Sequence, residues 1–441
     1  MSFHAPRLGC ARWQWTASAV HRMAQVALVA LVGVAASQVH AAPLMLDAAL
    51  RLAQDRSRQL PAQDASAAAS RQMAIAAGQR PDPTLKAGIN NLPIDGPDRF
   101  SLTRDFMTMR SIGLMQEFTR EGKLKARTAR FEREAEVAEA GRDLALANLR
   151  RDTAVAWLDR HFQERMAEVL AVQRDEARLQ VDAADAAYRG GRGSQADVFA
   201  ARSSVAQIED RLAQTQRQVA TATTQLARWV GTPAAEVLGP PPVLDAVRIH
   251  TDDLDAQLAR HPQVKILARQ EAMAQADAEV ARANKQPDAA VELMFNQRGP
   301  AFSNMVSINL SVPLQWDQKN RQDRELAAKL AVVEQVRAER DELMRTVGAE
   351  TLAMLQTWRS DRGRLTQYDA SLLPLATERT RASLAAYRGG SGALTAVLDA
   401  RRGEIDTRME RLRLEMETAR LWAQLNHLLP DDHDMPAATR P

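Results

Sequence analysis

The sequence predicts a mainly α-helical chain, built as a tandem repeat of long helical hairpins, with four short β-strands that belong to a membrane β-barrel. Three observations predict it. A glycine-rich phrase occurs twice at a constant offset of 199 positions, as YRGGRGSQADVFAAR at 188–202 and YRGGSGALTAVLDAR at 387–401. Each copy follows a helical run of about 65 residues, and each run follows short segments that alternate apolar and polar residues.

Residues 1–41 form the first element. Arg7, Arg12 and Arg22 precede an apolar run from Met23 to Ala36, and Val39-His40-Ala41 supplies a cleavage signal, so a signal peptide removed before Ala42 is expected. The run is shorter than the roughly 20 apolar residues of a spanning helix, which disfavours a transmembrane anchor. This leader holds three of the 58 basic residues and no acidic one, leaving 55 basic against 55 acidic. The remainder is neutral, and nucleic-acid binding loses its compositional support. The single cysteine, Cys10, lies upstream of the apolar run, so the rest of the chain can hold neither a disulfide nor a thiolate metal site.

Repeat 1 is expected at 42–240 and repeat 2 at 241–430, joined where Pro240, Pro241 and Pro242 forbid a continuous helix, with a polar tail at 431–441. The repeats open alike, with LDAALRLAQDRSRQLPAQ from Leu46 and LDAQLARHPQVKILARQ from Leu254. Each leads through an Ala-rich helix to a Pro-Asp pair, Pro81-Asp82 or Pro287-Asp288.

β-Hairpins are expected next, at about 84–118 and about 288–315. In VSINLSV, Val306, Ile308, Leu310 and Val312 alternate with Ser307, Asn309 and Ser311; in AVELMFN, Val291, Leu293 and Phe295 oppose Glu292, Met294 and Asn296. The first copy is weaker: Leu85, Ala87 and Ile89 alternate with Thr84, Lys86 and Asn90, and Ile112 and Leu114 oppose Ser111 and Gly113. Alternation alone also fits a soluble sheet with one wet face. In an exported chain, segments of about 9 to 11 residues with one apolar and one polar side meet the requirement of membrane strands. Phe118 and Trp316 stand where these strands end, as an interfacial girdle requires. Four strands cannot close a barrel, since lipid tolerates no open edge, so the chain should oligomerise; three copies would supply twelve strands.

Long helical hairpins follow at about 123–229 and about 322–428. Lys123 to Tyr188 contains no proline, and Gln322 to Tyr387 only Pro374. About 65 helical residues extend roughly 100 Å. Charged positions such as Glu132, Arg133, Glu134 and Asp143 read as a solvated face, and abundant alanine allows close, coiled-coil-like packing of each limb on its return. At the tips, glycine supplies the positive φ a reversal needs.

The order of these elements resembles the TolC family of outer-membrane efflux ducts across essentially the whole chain after residue 41. The second tip is the most specific match, with Tyr387, Gly390, Val397, Leu398, Asp399 and Ala400 similar to the family's Tyr-x-x-Gly and Asp-Val-Leu-Asp-Ala, and Ala396 in place of the first aspartate. The resemblance implies a homotrimer, with a twelve-stranded barrel in the outer membrane and a twelve-helix tunnel through the periplasm. It implies docking on a periplasmic adaptor (membrane fusion protein) and an inner-membrane pump of the resistance-nodulation-division type. Transport would be passive, with no enzymatic activity, cofactor or nucleotide site. IGLMQEF followed by Arg120, Gly122 and Lys123 looks most like the heavy-metal branch, so metal cations are the first expectation for cargo and drugs or other small organics the second.

The same resemblance assigns Asp399 and Tyr387 to a pore gate, a ring of three Asp399 carboxylates selecting and repelling cations at the narrow end. Asp197, aligned with Ala396, is a further contributor. Pairing of Asp399 with Arg401 or Arg402, and packing of Tyr387, are the structural alternatives. Tyr188, Arg189, Gly190, Gly191 and Gly193, with Arg388, Gly389, Gly390 and Gly392, are candidate adaptor-docking tips. Met107 and Met109, placed in the first hairpin's loop, are weak candidates for soft metal ions. The tail residues Asp431, Asp432, His433, Asp434 and Met435 form an acidic segment that could bind cations, although a polar terminus of this kind reads first as disordered. His161, His250, His261 and His427 have no zinc-site spacing and read as packing or surface residues. Two rival classes fit worse. A periplasmic adaptor predicts one helical hairpin with compact β-domains, and an exported enzyme predicts a catalytic motif, which the sequence lacks.

Overall fold

The computed structural model describes residues 43–430. The expected signal peptide, Cys10 and the tail from Asp431 lie outside the described residues. Two short helices, α1 (Leu46–Arg56) and α2 (Gln59–Ala77), lead to strands β1 (Thr84–Asn90) and β2 (Met109–Phe118). A very long helix α3 (Glu121–Arg189) turns into α4 (Gln195–Val230). The order then recurs with α5 (Leu254–Ala259), α6 (Pro262–Asn284), β3 (Ala289–Gln297), β4 (Met305–Ser311), α7 (Gln322–Gln367), α8 (Leu373–Arg388) and α9 (Leu394–Asn426).

Helix α3 runs 69 residues, about 100 Å, because nothing in it interrupts the hydrogen-bond ladder and neighbouring helices bury parts of it along its length. Phe162, Met166, Leu170, Gln173 and Ala177 form one buried stripe toward its end, whereas around Trp157 the helix is buried on several sides. The matching limb of the second repeat is broken. Between α7 and α8 the chain makes a π-helical turn, Tyr368–Leu372, just ahead of Pro374. Proline offers no N–H and its ring crowds the carbonyl four residues back, so the ladder widens for one turn instead of continuing. Arg411 of α9 spans this turn, with Nε 2.6 Å and Nη2 3.1 Å from the two carboxylate oxygens of Asp369.

One continuous core joins the repeats. Trp157, Leu158, Phe162 and Leu170 of α3 pack with Leu226 and Val230 of α4, Leu355 and Trp358 of α7, and Leu412, Trp422 and Leu425 of α9. Two buried indoles fasten the segments that enter each repeat: Trp157 Nε1 donates to the Leu44 carbonyl and Trp422 Nε1 to that of Ala246, both at 2.9 Å. Leu44 also bridges Leu238 just ahead of the three prolines, so the start of the described chain is clamped to the junction between repeats.

The strands form one antiparallel sheet in the order β1-β2-β3-β4. Its central pair, β2 with β3, joins the two repeats, matching Ile112 with Phe295 and Leu114 with Leu293. The sheet is bolted to the helices where β2 runs into α3. There Lys123 Nζ lies 2.7 Å from Asp288 Oδ2, and the Arg120 backbone N–H donates to Asp288 Oδ1 at 3.1 Å. The Pro-Asp pair of repeat 2 thus anchors the long helix of repeat 1, and Arg120 and Lys123 have a structural part in that junction.

Candidate functional site: two-faced sheet and hairpin tips

The register sorts the strand residues into two faces. Leu85, Leu114, Leu293 and Ile308 form one row across all four strands, and Ala87, Ile112, Phe295 and Val306 the next. Every large residue of these rows is exposed, from 44% for Phe295 to 73% for Ile308. A soluble sheet would bury such a surface, and a contiguous apolar face of this kind marks contact with lipid or protein. The opposite face carries the polar strand residues, several of them paired with one another. Lys86 Nζ lies 3.1 Å from Glu292 Oε2, Asn90 donates to Ser111 Oγ at 2.9 Å, and Asn296 donates to Ser307 Oγ at 2.9 Å. Phe118 closes β2 at 44% exposure and Trp316, beyond β4, is 88% exposed. No described helix is long and apolar enough to cross a membrane.

At the far ends of the hairpins the two tips share one backbone solution. Arg192 N–H reaches back to the Ala187 carbonyl and Ser391 N–H to that of Ala386, closing both helices with the same wide turn. Gly191 and Gly390 hold φ of +70° and +75°, the left-handed region that glycine enters without steric cost. Gly193 and Gly392 are needed for space, since a Cβ there would sit 3.3 Å from Ala187 Cβ and 3.0 Å from Ala386 Cβ. Tyr188, Arg189, Gly190, Arg388 and Gly389 are exposed at these turns, and Arg189 pairs with Asp185 of its own helix.

The first turns of the returning helices differ. Ser194 and Asp197 form a reciprocal capping box on α4, Asp197 N–H donating to Ser194 Oγ and both Ser194 N–H and Oγ donating to Asp197 Oδ2 at 3.0 and 2.7 Å. The Ser194 hydroxyl holds the Asp197 carboxyl below the usual aspartate range. The equivalent positions on α9 are Ala393 and Ala396, and that helix has no side-chain cap.

Asp399, six residues into α9, is exposed and has no ion-pair or hydrogen-bond partner among the described residues. Its two expected neighbours are engaged elsewhere. Arg401 lies 2.8 Å from Glu176 of α3, and Arg402 donates to Gln207 of α4 at 3.0 Å. Tyr387 is half-buried against a small cluster of Ala184, Val198, Ala201, Leu394, Val397 and Leu398 that unites the tips of both hairpins. Its counterpart Tyr188 lies outside that cluster and is 46% exposed.

Sequence reasoning missed the links between the hairpins. Besides Arg401–Glu176, Arg211 of α4 meets Asp406 of α9 at 2.6 Å, and Arg402 of α9 donates to Gln207 of α4 at 3.0 Å. Such pairs are distant in sequence and leave no local signal. The capping box did leave one, a serine three residues before an acid at a helix start.

The remaining candidates fall into place individually. Met107 is an exposed loop residue, whereas Met109 is the first residue of β2 and so belongs to the sheet instead of the loop. His161 stacks on Trp157 with ring centroids 5.5 Å apart, His427 meets Trp422 edge-on at 6.5 Å, and His261 caps α6 through Nδ1. His250 leads into α5. Among the described residues no group of three or more His, Cys, Asp and Glu side chains could hold a metal ion.

No protein-family model and no curated protein sequence matches the chain at significance. Solved structures do. The outer membrane protein VceC of Vibrio cholerae is 17% identical with a TM-score of 0.72, over 87% of this chain and 95% of its own. The outer-membrane channel OprN is 16% identical with a TM-score of 0.73, over 88% and 90%. CusC, described as undergoing conformational changes that accompany folding and transmembrane channel formation, is 16% identical with a TM-score of 0.69, over 88% and 92%. The chain has the fold of these outer-membrane channels along nearly their whole length.

Proposed function

We propose that the protein is the outer-membrane channel of a tripartite efflux system of the TolC family, a passive homotrimeric duct in a Gram-negative bacterium. The observation that carries this reading is the fully exposed apolar face of the sheet, set on helices about 100 Å long in the fold of the outer-membrane channels. Three sheets edge to edge close a twelve-stranded barrel with the apolar rows toward lipid, the polar face inward, and Phe118 and Trp316 as interfacial girdle residues. The helices continue the duct through the periplasm. The glycine tips, short and backbone-rich, are the docking surface for a periplasmic adaptor and, through it, an inner-membrane pump of the resistance-nodulation-division type. Residues 1–41 serve as the export signal, and 42–240 and 241–430 as duplicated halves.

Asp399 supplies the gate. Its free carboxylate, repeated three times around the opening, attracts cations and repels its own copies. Asp197 adds charge while its oxygens cap α4, and Tyr387 holds the second tip against the first. Heavy-metal cations are the cargo, a reading supported by the stretch from Ile112 to Lys123. Fractionation tests the duct: an outer-membrane trimer is expected, and a soluble monomer refutes it. A deletion strain challenged with copper, silver, zinc, cobalt and cadmium salts alongside hydrophobic antibiotics tests the cargo. Metal sensitivity is expected, and sensitivity to antibiotics alone reassigns the duct to organic solutes. In the purified channel, Asp399→Ala should leave the trimer intact and change ion conductance; unchanged conductance returns Asp399 to an ordinary helix surface.

A further inference from the structure

Methionine is distributed unevenly over the sheet. All four strand methionines, Met109, Met115, Met294 and Met305, fall on the polar face, and the apolar rows contain none. Hydrophobicity alone would place them on the other side, with Leu114, Leu293 and Ile308. Three of them also lie on one diagonal. Met115 opposes Glu292 and Gly113 opposes Met294, so Met115 and Met294 are diagonal neighbours on β2 and β3. Met294 opposes Ser307 and Asn296 opposes Met305, which repeats the step onto β4. Diagonal neighbours stand about 7–8 Å apart, a span that long unbranched thioether side chains cover. Gly113, directly opposite Met294, contributes no side chain to the space between them.

The chemistry of this face favours sulfur over oxygen. Glu292 is paired with Lys86, Asn90 with Ser111 and Asn296 with Ser307, which leaves Asn309 and Glu117 as oxygen donors of this face without a side-chain partner among the described residues. The Met305 sulfur accepts from Arg298 Nη1 at 3.9 Å, a contact that a bound cation would displace. We propose that Met115, Met294 and Met305 form a thioether track for soft monovalent cations, Cu(I) or Ag(I), along the inner wall of the barrel. This rests on the duct reading above, and it names the class of cargo. Thioethers bind such ions in preference to hard cations, and several weak sites in series let an ion enter without trapping it.

Silver(I) nitrate is the probe, in chloride-free buffer, on the channel purified without residues 1–41, which carry the single cysteine. Binding to the purified channel is measured by calorimetry and by X-ray absorption at the silver edge, and potassium current is recorded in planar bilayers before and after silver. The expected result is silver–sulfur scattering and a reversible silver-dependent fall in current. Combining Met115→Leu, Met294→Leu and Met305→Leu, which keeps side-chain volume, should weaken silver binding about tenfold or more, abolish the fall, and leave the current without silver unchanged. If the triple variant does not insert, Met294→Leu alone should show a partial loss of both. Equal silver binding by parent and variant, or no silver effect on the parent current, overturns the track. Absence of any potassium current in the parent overturns the duct instead, while the binding comparison still decides whether the methionines hold silver.

Discussion

Ile308 and Asn309 are neighbours on β4 that the register places on opposite faces, and they allow the membrane assignment to be tested at a single depth. Ile308 ends the row Leu85, Leu114, Leu293, flanked by the row of Phe295 and Val306 on one side and by Val291 and Leu310 on the other. It therefore sits in the middle of the apolar band. The ten residues of β2, tilted as barrel strands are, give that band a height of about 25 Å, the thickness an outer-membrane barrel presents to lipid. An arginine on the lipid face near the bilayer midplane costs about 2–4 kcal/mol. Ile308→Arg should thus lower the folding equilibrium of each protomer by about two orders of magnitude, a burden repeated three times in the trimer. Asn309→Arg, one residue along, enters a wet lumen directly opposite Glu292 and should cost less than about 0.5 kcal/mol.

The assay is denaturant unfolding of each variant refolded into lipid vesicles, followed by tryptophan fluorescence, with the heat-resistant trimer band on gels as a second readout. The two substitutions introduce the same side chain on the same strand, so net charge cancels in the comparison, and the β-propensity difference between the isoleucine and the asparagine replaced is at most about 1 kcal/mol. Equal destabilisation by both, or a greater loss from Asn309→Arg, would show that the apolar face does not meet lipid. The barrel reading would then fail, and the exposed rows would need a protein partner.

Two further outcomes follow from individual residues. Gly390→Ala forces a side chain into a φ of +75° and should destabilise the second tip by about 1–2 kcal/mol, whereas Gly389→Ala, at −75°, should be nearly silent; faster hydrogen exchange confined to the tip is the measurement, and equal behaviour of the two refutes the conformational requirement. His261, buried at 6% exposure, has its imidazole pushed down to about 4 by desolvation, so between pH 6.5 and 4 the unfolded chain binds a proton that the folded chain does not. Its contribution is fully present above pH 6.5 and lost toward pH 4, about 3 kcal/mol in all, and His261→Asn, which keeps an acceptor at the helix start, should flatten that part of the stability profile; an unchanged profile places the acid sensitivity elsewhere.

The legible parts of this fold are those written in local periodicity. Alternation in 289–297 and 305–311 located both strands and their faces, and the recurrence of Tyr-Arg-Gly-Gly located both tips. Pairing of β2 with β3 was less accessible, because it joins segments some 180 residues apart and depends on both repeats being folded. Pro374 was visible in the sequence, but nothing local distinguishes a break from the π turn that accommodates it, where Asp369 meets Arg411 of the returning helix. The candidate gate residues were legible only through the tip motif that carries Tyr387 and Asp399. Whether Asp399 was paired or free turned on where Arg401 and Arg402 went, and they went to Glu176 and Gln207 on the other hairpin.

The two halves of the duplication have diverged in the property that matters for an opening made of hairpins. The first hairpin has an unbroken 69-residue limb and a capped return helix. The second has a limb broken at Tyr368–Leu372 and a return helix whose first turn carries Ala393 and Ala396 where the first carries Ser194 and Asp197. Loss of such a cap costs about 0.5–2 kcal/mol, and a widened turn concentrates bending at one place. The second hairpin is therefore the more easily deformed of the pair, and it also bears the unpartnered Asp399. What steadies it is its contact with the first hairpin, through Arg401–Glu176, Arg402–Gln207 and Arg211–Asp406. These pairs are partly exposed and individually weak, and they add to the apolar cluster of Ala184, Val198, Ala201, Leu394, Val397 and Leu398 that packs the second tip against the first.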